Sequence, residues 1–214
     1  MTVTRFVALD IETDTNAVPV DPDIPGGLDP RAGGITSIAL HSKDETLLID
    51  GHNERRLLLV LAAWFRECDR NTVFVSWNGA SFDFPFLAAR ATQQKVLLPL
   101  MLELNPNLVP KYGALPGFEG GYTVEVANGY GNILHHVDIA YLYKEFAETQ
   151  GVSWSLKPVA QHVGVDMIHV DRENVAGLSV GERVAYNLSD VVGTLALTNM
   201  LVEKHSVEWL LDQR

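Results

Sequence analysis

The segment Arg5–Glu12 restricts the fold of this chain more than any other feature, because it has the pattern of a strand that is apolar on both faces. In extended backbone, Val7 and Leu9 point to one side of the strand, whereas Phe6 and Ala8 point to the other. A strand of this kind is covered on both faces, as the central strands of α/β sheets are. The segment therefore predicts a sheet with other elements packed on each side.

The rest of the chain alternates further strands with amphipathic helices. Strands are predicted at the following segments: Ile35–His41, Glu45–Asp50, Thr72–Trp77, Tyr122–Val126 and Ile133–Ile139. Helices are predicted from the cap Asn53 to about Cys68, after Asp83 with Pro85 in the first turn, and over 141–149, 155–163 and 181–205. Residues 16–34 and 103–121 are rich in proline and glycine and are predicted to be irregular. This order indicates an α/β fold, a mixed central sheet flanked by helices.

Length, charge and cysteine usage narrow the class of protein. No linker or repeat divides the 214 residues, so we expect a single domain over 1–214. The net charge of −11 argues against a protein that coats duplex nucleic acid, whereas an enzyme that grips one strand end needs fewer basic contacts. Cys68 is the only cysteine, which favours a reducing, cytoplasmic location. The chain shows no signal peptide and no apolar run that would cross a bilayer, so we expect no membrane partner.

Two carboxylates end the first predicted strand. Asp10 and Glu12 are two residues apart, and residues with this spacing share one face of a strand. Carboxylate oxygens are the ligands that hard divalent cations prefer. A metal site and a solvent-exposed strand end are both consistent with this motif alone.

A second motif joins a predicted strand to a predicted helix over Asn78–Leu87. Junctions of this kind are where α/β sheets place their functional sites. Asp83 lies in the middle of the motif, where it would belong either to such a site or to a helix N-terminus that favours negative charge.

The third motif is in the last long predicted helix. Tyr186 and Asp190 are four residues apart, so they share one face of that helix. A core aromatic residue and a surface acid would give the same spacing.

In this order, the three motifs resemble the exonuclease motifs of the tyrosine branch of the DEDD superfamily. Asp-Ile-Glu-Thr at 10–13 and Asn-x-x-x-Phe-Asp at 78–83 are most similar to the proofreading exonuclease domain of family B DNA polymerases. Tyr-x-x-x-Asp at 186–190 is similar to the third motif, and His-Val-Asp-Ile at 136–139 to a stretch between the second and third. The resemblance covers residues 5–200 and leaves no room for polymerase palm, fingers or thumb, which implies a stand-alone PolB-like exonuclease.

The resemblance implies an RNase H-like (DnaQ-like) fold and 3′→5′ hydrolysis of single-stranded DNA with two divalent cations, Mg²⁺ or Mn²⁺. Asp10 would bridge the two ions, and Glu12 and Asp190 would complete the site of the ion that holds the attacking water. Asp83 would hold the second ion through water. Tyr186 would orient the attacking water or help to deprotonate it.

Two further residues match motif positions that would contact the terminal nucleotide of the substrate. These are Asn78 and Phe82, and the ring of Phe82 offers a stacking face for a base. A structural role for either residue is equally consistent with the sequence.

Other functions stay open on the sequence. The tyrosine branch includes RNase D, so the substrate would then be RNA. A nucleic-acid-binding relative without catalysis is a second alternative, although all four acids and the tyrosine are present. A small-molecule α/β enzyme is disfavoured, since neither a glycine-rich phosphate loop nor a Gly-x-Ser-x-Gly motif occurs.

Several residues of reactive type receive no functional role from the sequence. His135 and His136 are adjacent in a predicted strand and would point to opposite faces, which disfavours a shared metal ion. Asp138 matches no family position with a known role, and Cys68 fits a buried helix position. Lys157 would lie either near substrate phosphate or at an exposed helix start.

Overall fold

A mixed sheet of seven strands forms the centre of the computed structural model, which describes residues 4–170 and 179–213. The strands are β1 (Arg5–Thr13), β2 (Ile35–His41), β3 (Thr46–Asp50), β4 (Thr72–Ser76), β5 (Leu100–Asn105), β6 (Gly121–Ala127) and β7 (Ile133–Asp138). The helices are α1 (Glu54–Glu67), α2 (Asp83–Gln94), α3 (Ile139–Gln150), α4 (Leu156–His162), α5 (Val180–Lys204) and α6 (Val207–Leu211), with a 3₁₀ turn at Gly26–Leu28. The strand order is β3-β2-β1-β4-β7-β6-β5, which confirms the predicted α/β class.

The first strand lies in the interior of the sheet and is covered on both faces, as its sequence predicts. Val7 and Leu9 belong to the core that packs under α1 and α2. Ala8 faces the opposite core, where Val191 of α5 and Tyr143 of α3 cover the sheet. The strand is buried on both faces, since Val7, Ala8 and Leu9 are at most 1% exposed.

The three central strands run parallel, and this directs their carboxyl ends to one edge of the sheet. β1 pairs parallel with β4, and β4 pairs parallel with β7. The strands on either side are antiparallel to their neighbours. Consequently Glu12, Ser76 and Asp138, which end or nearly end the three parallel strands, lie at the same edge. α/β sheets place ligand sites at such an edge.

Most predicted elements are present with small shifts at their ends, but β5 is a correction. Residues 103–121 were expected to be irregular, and this is wrong for 103–105, which belong to β5, and for Gly121, which begins β6. β5 is an edge strand paired only with β6, and its exposed side chains include Met101 and Leu104. Its sequence lacks β-branched residues, so it becomes a strand through pairing with β6 rather than through local preference. α6 was also not predicted.

The long connection between β1 and β2 is fixed by a buried ion pair between α1 and α2. Arg90 donates to both carboxylate oxygens of Glu54, at 2.7 and 2.5 Å, and also to the carbonyl of Pro30 at 2.9 Å. Glu54 further accepts from the backbone N–H of Ile35 at 2.8 Å and from the amide of Gln94 at 2.6 Å. The pair therefore joins the connection to the first residue of β2.

Among the described residues, no helix is both long and apolar enough to cross a membrane.

We expect Glu54→Ala to lower the free energy of unfolding by roughly 3–5 kcal/mol, because it leaves the Arg90 guanidinium buried without its counter-charge. Urea denaturation followed by circular dichroism measures this change. Glu67→Ala, at an exposed position of the same helix, is the matched control and should stay within about 0.5 kcal/mol of the parent. Equal effects of the two substitutions would contradict the structural role of the pair.

Candidate active site

Three carboxylates converge where β1 ends. Asp10, Glu12 and Asp190 each offer one oxygen, and these three oxygens all lie within 4.8 Å of one another. Asp10 and Glu12 share a face of β1, while α5 crosses that face and brings Asp190 to them. Val191 and Leu195 hold α5 against the sheet in the second core. Oxygen ligands at this spacing suit a hard divalent cation.

Asp83 lies beside this group but is not a member of it. It is the first residue of α2, is 4% exposed, and accepts a hydrogen bond at 3.0 Å from the backbone N–H of Ile11. That N–H is available because the pairing of β1 with β4 ends at Ala8 and Val75. The structure thus attaches the Asp83 carboxylate to the strand segment between Asp10 and Glu12.

The electrostatics of the four acids show the cost of placing them together without a cation. Burial raises the pKa of Asp10 well above its ordinary value, and the negative charges of Asp83, Glu12 and Asp190 raise it further. Burial, with the charge of Asp190, raises the pKa of Glu12 to about 8. Burial also raises the pKa of Asp83 to about 7, although the hydrogen bond from Ile11 acts in the opposite direction. A bound cation would reverse these shifts.

Lys157 supplies a positive charge beside the cluster of Asp10, Glu12 and Asp190. Its ammonium lies 3.1 and 3.2 Å from the two carboxylate oxygens of Asp190 and 3.4 Å from the centre of the Tyr186 ring. The Lys157 side chain is only 16% exposed, which argues against an exposed helix start, one of the two alternatives that the sequence left open. This contact is not evident from the sequence, because it joins α4 to α5 across 33 residues. The only local signal was a lysine near the start of a predicted helix.

Tyr186 lies one helical turn before Asp190, and its side chain is 8% exposed. The i, i+4 spacing therefore places both residues on the face of α5 that points to the carboxylates. One side of the Tyr186 ring is covered by the Lys157 ammonium, an arrangement that cation–π attraction stabilises.

The start of α5 is fixed by contacts on both sides of Tyr186. Ser179 and Glu182 form a capping box at the first turn. Arg183 pairs with Asp50 at the end of β3, at 3.2 Å. Asn187 is buried and donates to the hydroxyl of Ser37 in β2 at 3.0 Å. These contacts set the rotation of α5 over the sheet.

Asp138 organises the loop that follows β4. Its carboxylate accepts from the backbone N–H groups of Asn78, Ala80 and Ala140, at 2.8, 3.0 and 3.1 Å. The same side chain therefore caps α3 and holds the loop that leads to Asp83. Burial raises the pKa of Asp138 to about 6. The sequence assigns no role to Asp138 because its partners are backbone groups, which no side-chain motif reveals.

Asn78 and Phe82 lie on the wall of clefts at this edge of the sheet. Asn78 has left-handed backbone, φ 67°, and its buried side-chain oxygen has no hydrogen-bond donor among the described residues. Phe82 packs at a tilt on Phe86, with ring centres 5.5 Å apart, and is the cap residue of α2. Both residues line a cleft of about 560 Å³. Phe82 thus has a structural contact and a face toward the cleft.

The discounted residues have partners other than Asp10, Glu12 and Asp190. His136 is buried, contacts the Ser76 hydroxyl at 2.7 Å, and burial lowers its pKa to about 3. His135 points to the opposite face and lies 3.4 Å from Glu125. The Cys68 thiol is buried, and burial raises its pKa to about 12, as expected for a packing residue rather than a nucleophile.

A family model described as the RNase_H superfamily matches residues 23–202 of the chain. The chain belongs to the RNase H superfamily. This confirms the expected RNase H-like fold and indicates a nuclease that acts on nucleic acid. No curated protein matches the chain.

Among solved structures, the RNase H-superfamily chain is similar to the family B DNA polymerase from the hyperthermophilic archaeon Pyrobaculum calidifontis. The TM-score is 0.64 at 21% sequence identity, over 94% of this chain and 25% of the polymerase chain. At this identity the likeness concerns the fold. The chain spans a quarter of the length of the polymerase, 25%.

The raised pKa of Glu12 makes the metal-free protein less stable as pH rises. A carboxyl whose folded-state pKa is raised contributes stability that is complete below its ordinary value of 4.5 and lost as pH rises through about 8. We therefore expect the melting temperature of Glu12→Gln minus that of the parent, both in EDTA, to increase as pH rises across this range. Added Mg²⁺ should raise the parent's melting temperature more at pH 8 than at pH 5.

Differential scanning fluorimetry over this pH series measures both effects. Glu148→Gln, at an exposed position of α3, removes the same charge away from the carboxylates and should show a difference from the parent that is independent of pH. A Glu12→Gln difference that is also flat with pH would contradict the proposed crowding of buried charge.

Proposed function

We propose that this RNase H-superfamily protein is a metal-dependent exonuclease that removes nucleotides from the 3′ end of single-stranded DNA. The observation that carries the proposal is the convergence of three carboxylate oxygens within 4.8 Å, with Tyr186 one helical turn from Asp190. A single exonuclease domain over residues 1–214 is part of the proposal. The lone cysteine supports, as a prediction, a reducing cytoplasmic compartment.

The residues present fit divalent cations of the hard type. Asp10, Glu12 and Asp190 would hold one ion, and Asp10 and Asp83 would hold a second, with Asp83 acting through water. The raised pKa values of Asp10, Glu12 and Asp83 support this assignment, since a cation would stabilise their ionised forms. Two bound Mg²⁺ or Mn²⁺ ions would supply Lewis acidity that lowers the pKa of water and stabilises the charge on the departing 3′ oxygen.

The chain's own residues would orient the reactants around this centre. The Tyr186 hydroxyl would accept a hydrogen bond from the attacking water or donate one to it. Lys157, already paired with Asp190, would hold that carboxylate in place and add positive charge where the phosphate charge develops. Asn78, whose side-chain oxygen has no donor within residues 4–170 and 179–213, would bind the terminal nucleotide through its side-chain amide, and Phe82 would stack on the base.

A time course on 5′-labelled single-stranded DNA and on matched RNA, with Mg²⁺ or with EDTA, tests the proposal. We expect a ladder of products shortened from the 3′ end of DNA in Mg²⁺ and no cleavage in EDTA, because the buried carboxylates act only with a cation. Asp190→Asn should remain folded and lose at least about 10²-fold in rate, the range found when one group that stabilises a transition state is removed.

The controls separate the alternatives. Glu203→Gln, at an exposed position of the same helix, should keep the parental rate. A 3′-terminal phosphorothioate should slow digestion, whereas a blocked 5′ end should not. Exclusive cleavage of RNA would assign the RNase D-like function instead. Binding without cleavage would assign a non-catalytic relative, and cutting of closed circles would indicate an endonuclease.

Tyr186→Phe tests the proposed contact between the phenol and the attacking water. The substitution keeps the ring and its packing on Lys157 but removes the hydroxyl. We expect a fall of about 10²–10⁴-fold in the single-turnover rate at saturating Mg²⁺, the range for a positioned acid or base. The melting temperature and the Mg²⁺ affinity should be unchanged. Tyr130→Phe, in an exposed turn, is the matched control. A parental rate for Tyr186→Phe would leave Tyr186 a packing residue.

A further inference from the structure

A second, smaller cleft of about 160 Å³ is lined by two of the carboxylates, Asp10 and Asp190. Lys111, Tyr112 and Trp154 line the same cleft. Lys144 of α3 lies beside Trp154, with its ammonium 5.3 Å from the centre of the Trp154 ring. We refer to these four residues, Lys111, Tyr112, Lys144 and Trp154, as the basic-aromatic strip.

The lysines of the strip lie beside aromatic rings rather than in salt bridges, although Asp10 and Asp190 line the same cleft as Lys111. The Lys111 ammonium lies 5.2 Å from the ring centre of Tyr112 and 5.2 Å from that of Trp154. Two ammonium groups thus flank one indole ring. Within residues 4–170 and 179–213, neither Lys111 nor Lys144 forms a salt bridge with an acid. In a protein of net charge −11, such a local concentration of positive charge favours an anionic ligand.

The strip is held in position before any ligand binds. Lys111 donates to the hydroxyls of Ser153 and Ser155, both at 2.7 Å. The hydroxyl of Tyr112 lies 2.9 Å from that of Ser155. These contacts fasten the connection between β5 and β6 to the residues that precede α4, although the two segments are more than 40 residues apart. The positions of Lys111 and Tyr112 are therefore set by contacts within the protein itself.

We propose that the basic-aromatic strip binds the single-stranded segment of DNA that precedes the terminal nucleotide. Lys111 and Lys144 pair with successive phosphates, while Trp154 and Tyr112 stack on unpaired bases. Alternating cations and ring faces fit a single strand, because a duplex hides the faces of its bases. This inference rests on the proposed function, since it assumes that the 3′ end is cut at the cluster of Asp10, Glu12 and Asp190.

The test measures binding in EDTA, where hydrolysis does not interfere, by fluorescence anisotropy of a labelled octathymidylate. We expect Lys111→Gln/Lys144→Gln to bind the octamer at least about tenfold more weakly than the parent. The slope of log affinity against log salt concentration should fall by about 1.4, because each phosphate contact on a single strand contributes about 0.7. Trp154→Leu should weaken binding on the order of 5- to 150-fold and leave the slope unchanged, since it removes stacking but no charge.

Lys43→Gln/Lys204→Gln is the matched control, because both lysines are exposed and lie on other parts of the surface. It removes the same charge and should keep the parental affinity. Circular dichroism melting establishes that each variant is folded. The proposal is overturned if the strip variant keeps the parental affinity and slope, if the control loses as much, or if the parent does not bind the octamer. Tighter binding of octauridylate would overturn it in favour of RNA.

A kinetic measurement in Mg²⁺ distinguishes this proposal from the proposed function. Lys111→Gln/Lys144→Gln should raise KM for the octamer about tenfold and keep kcat within about twofold of the parent. It should leave cleavage of a thymidine dinucleotide unchanged, because only the longer substrate reaches the strip. A parent that binds the octamer through the strip but cleaves nothing would contradict the exonuclease function and leave the strip supported. Equal effects on dinucleotide and octamer would overturn the strip.

Discussion

Repulsion among partly buried carboxylates at the end of β1 is the constraint around which this structure is organised. Asp10, Glu12 and Asp190 are held so close together that the pKa values of Asp10 and Glu12 are raised. Lys157 supplies one compensating charge from α4. The neighbouring acid Asp83 is compensated differently, through the backbone N–H of Ile11. A site that is unfavourable without a cation is suited to bind one strongly.

The structure tolerates this crowding because separate hydrogen bonds fix the elements that carry the acids. The ladder with β2 holds the segment of β1 that contains Asp10 and Glu12. Asp138 binds three backbone N–H groups and so shapes the loop that delivers Asp83 to α2. Arg183 and Asn187 fix α5 to the strands on the other side of β1. Each contact replaces a flexible degree of freedom near the site with a directional bond.

Sequence patterns located the elements but not all the partners. The cap Asn53 and the helix that follows it were predicted because capping and apolar spacing are local properties. The edge strand β5 was missed because its pattern is weak without β6. Lys157 was recognised only as a lysine near a helix start, since nothing in its own segment reveals Asp190. Lys111 and Trp154 were likewise unconnected in sequence until the β5–β6 connection met the residues before α4.

The sequence by itself determined which side chains share a face. The periods of strand and helix place Asp10 with Glu12 and Tyr186 with Asp190, because these spacings depend only on local backbone geometry. Only the tertiary structure decided that the β1 pair and the α5 pair meet, that Lys157 joins them, and that Asp83 stands beside the group rather than within it. Such contacts join residues far apart in the chain, and the packing of α4 and α5 on the sheet sets them.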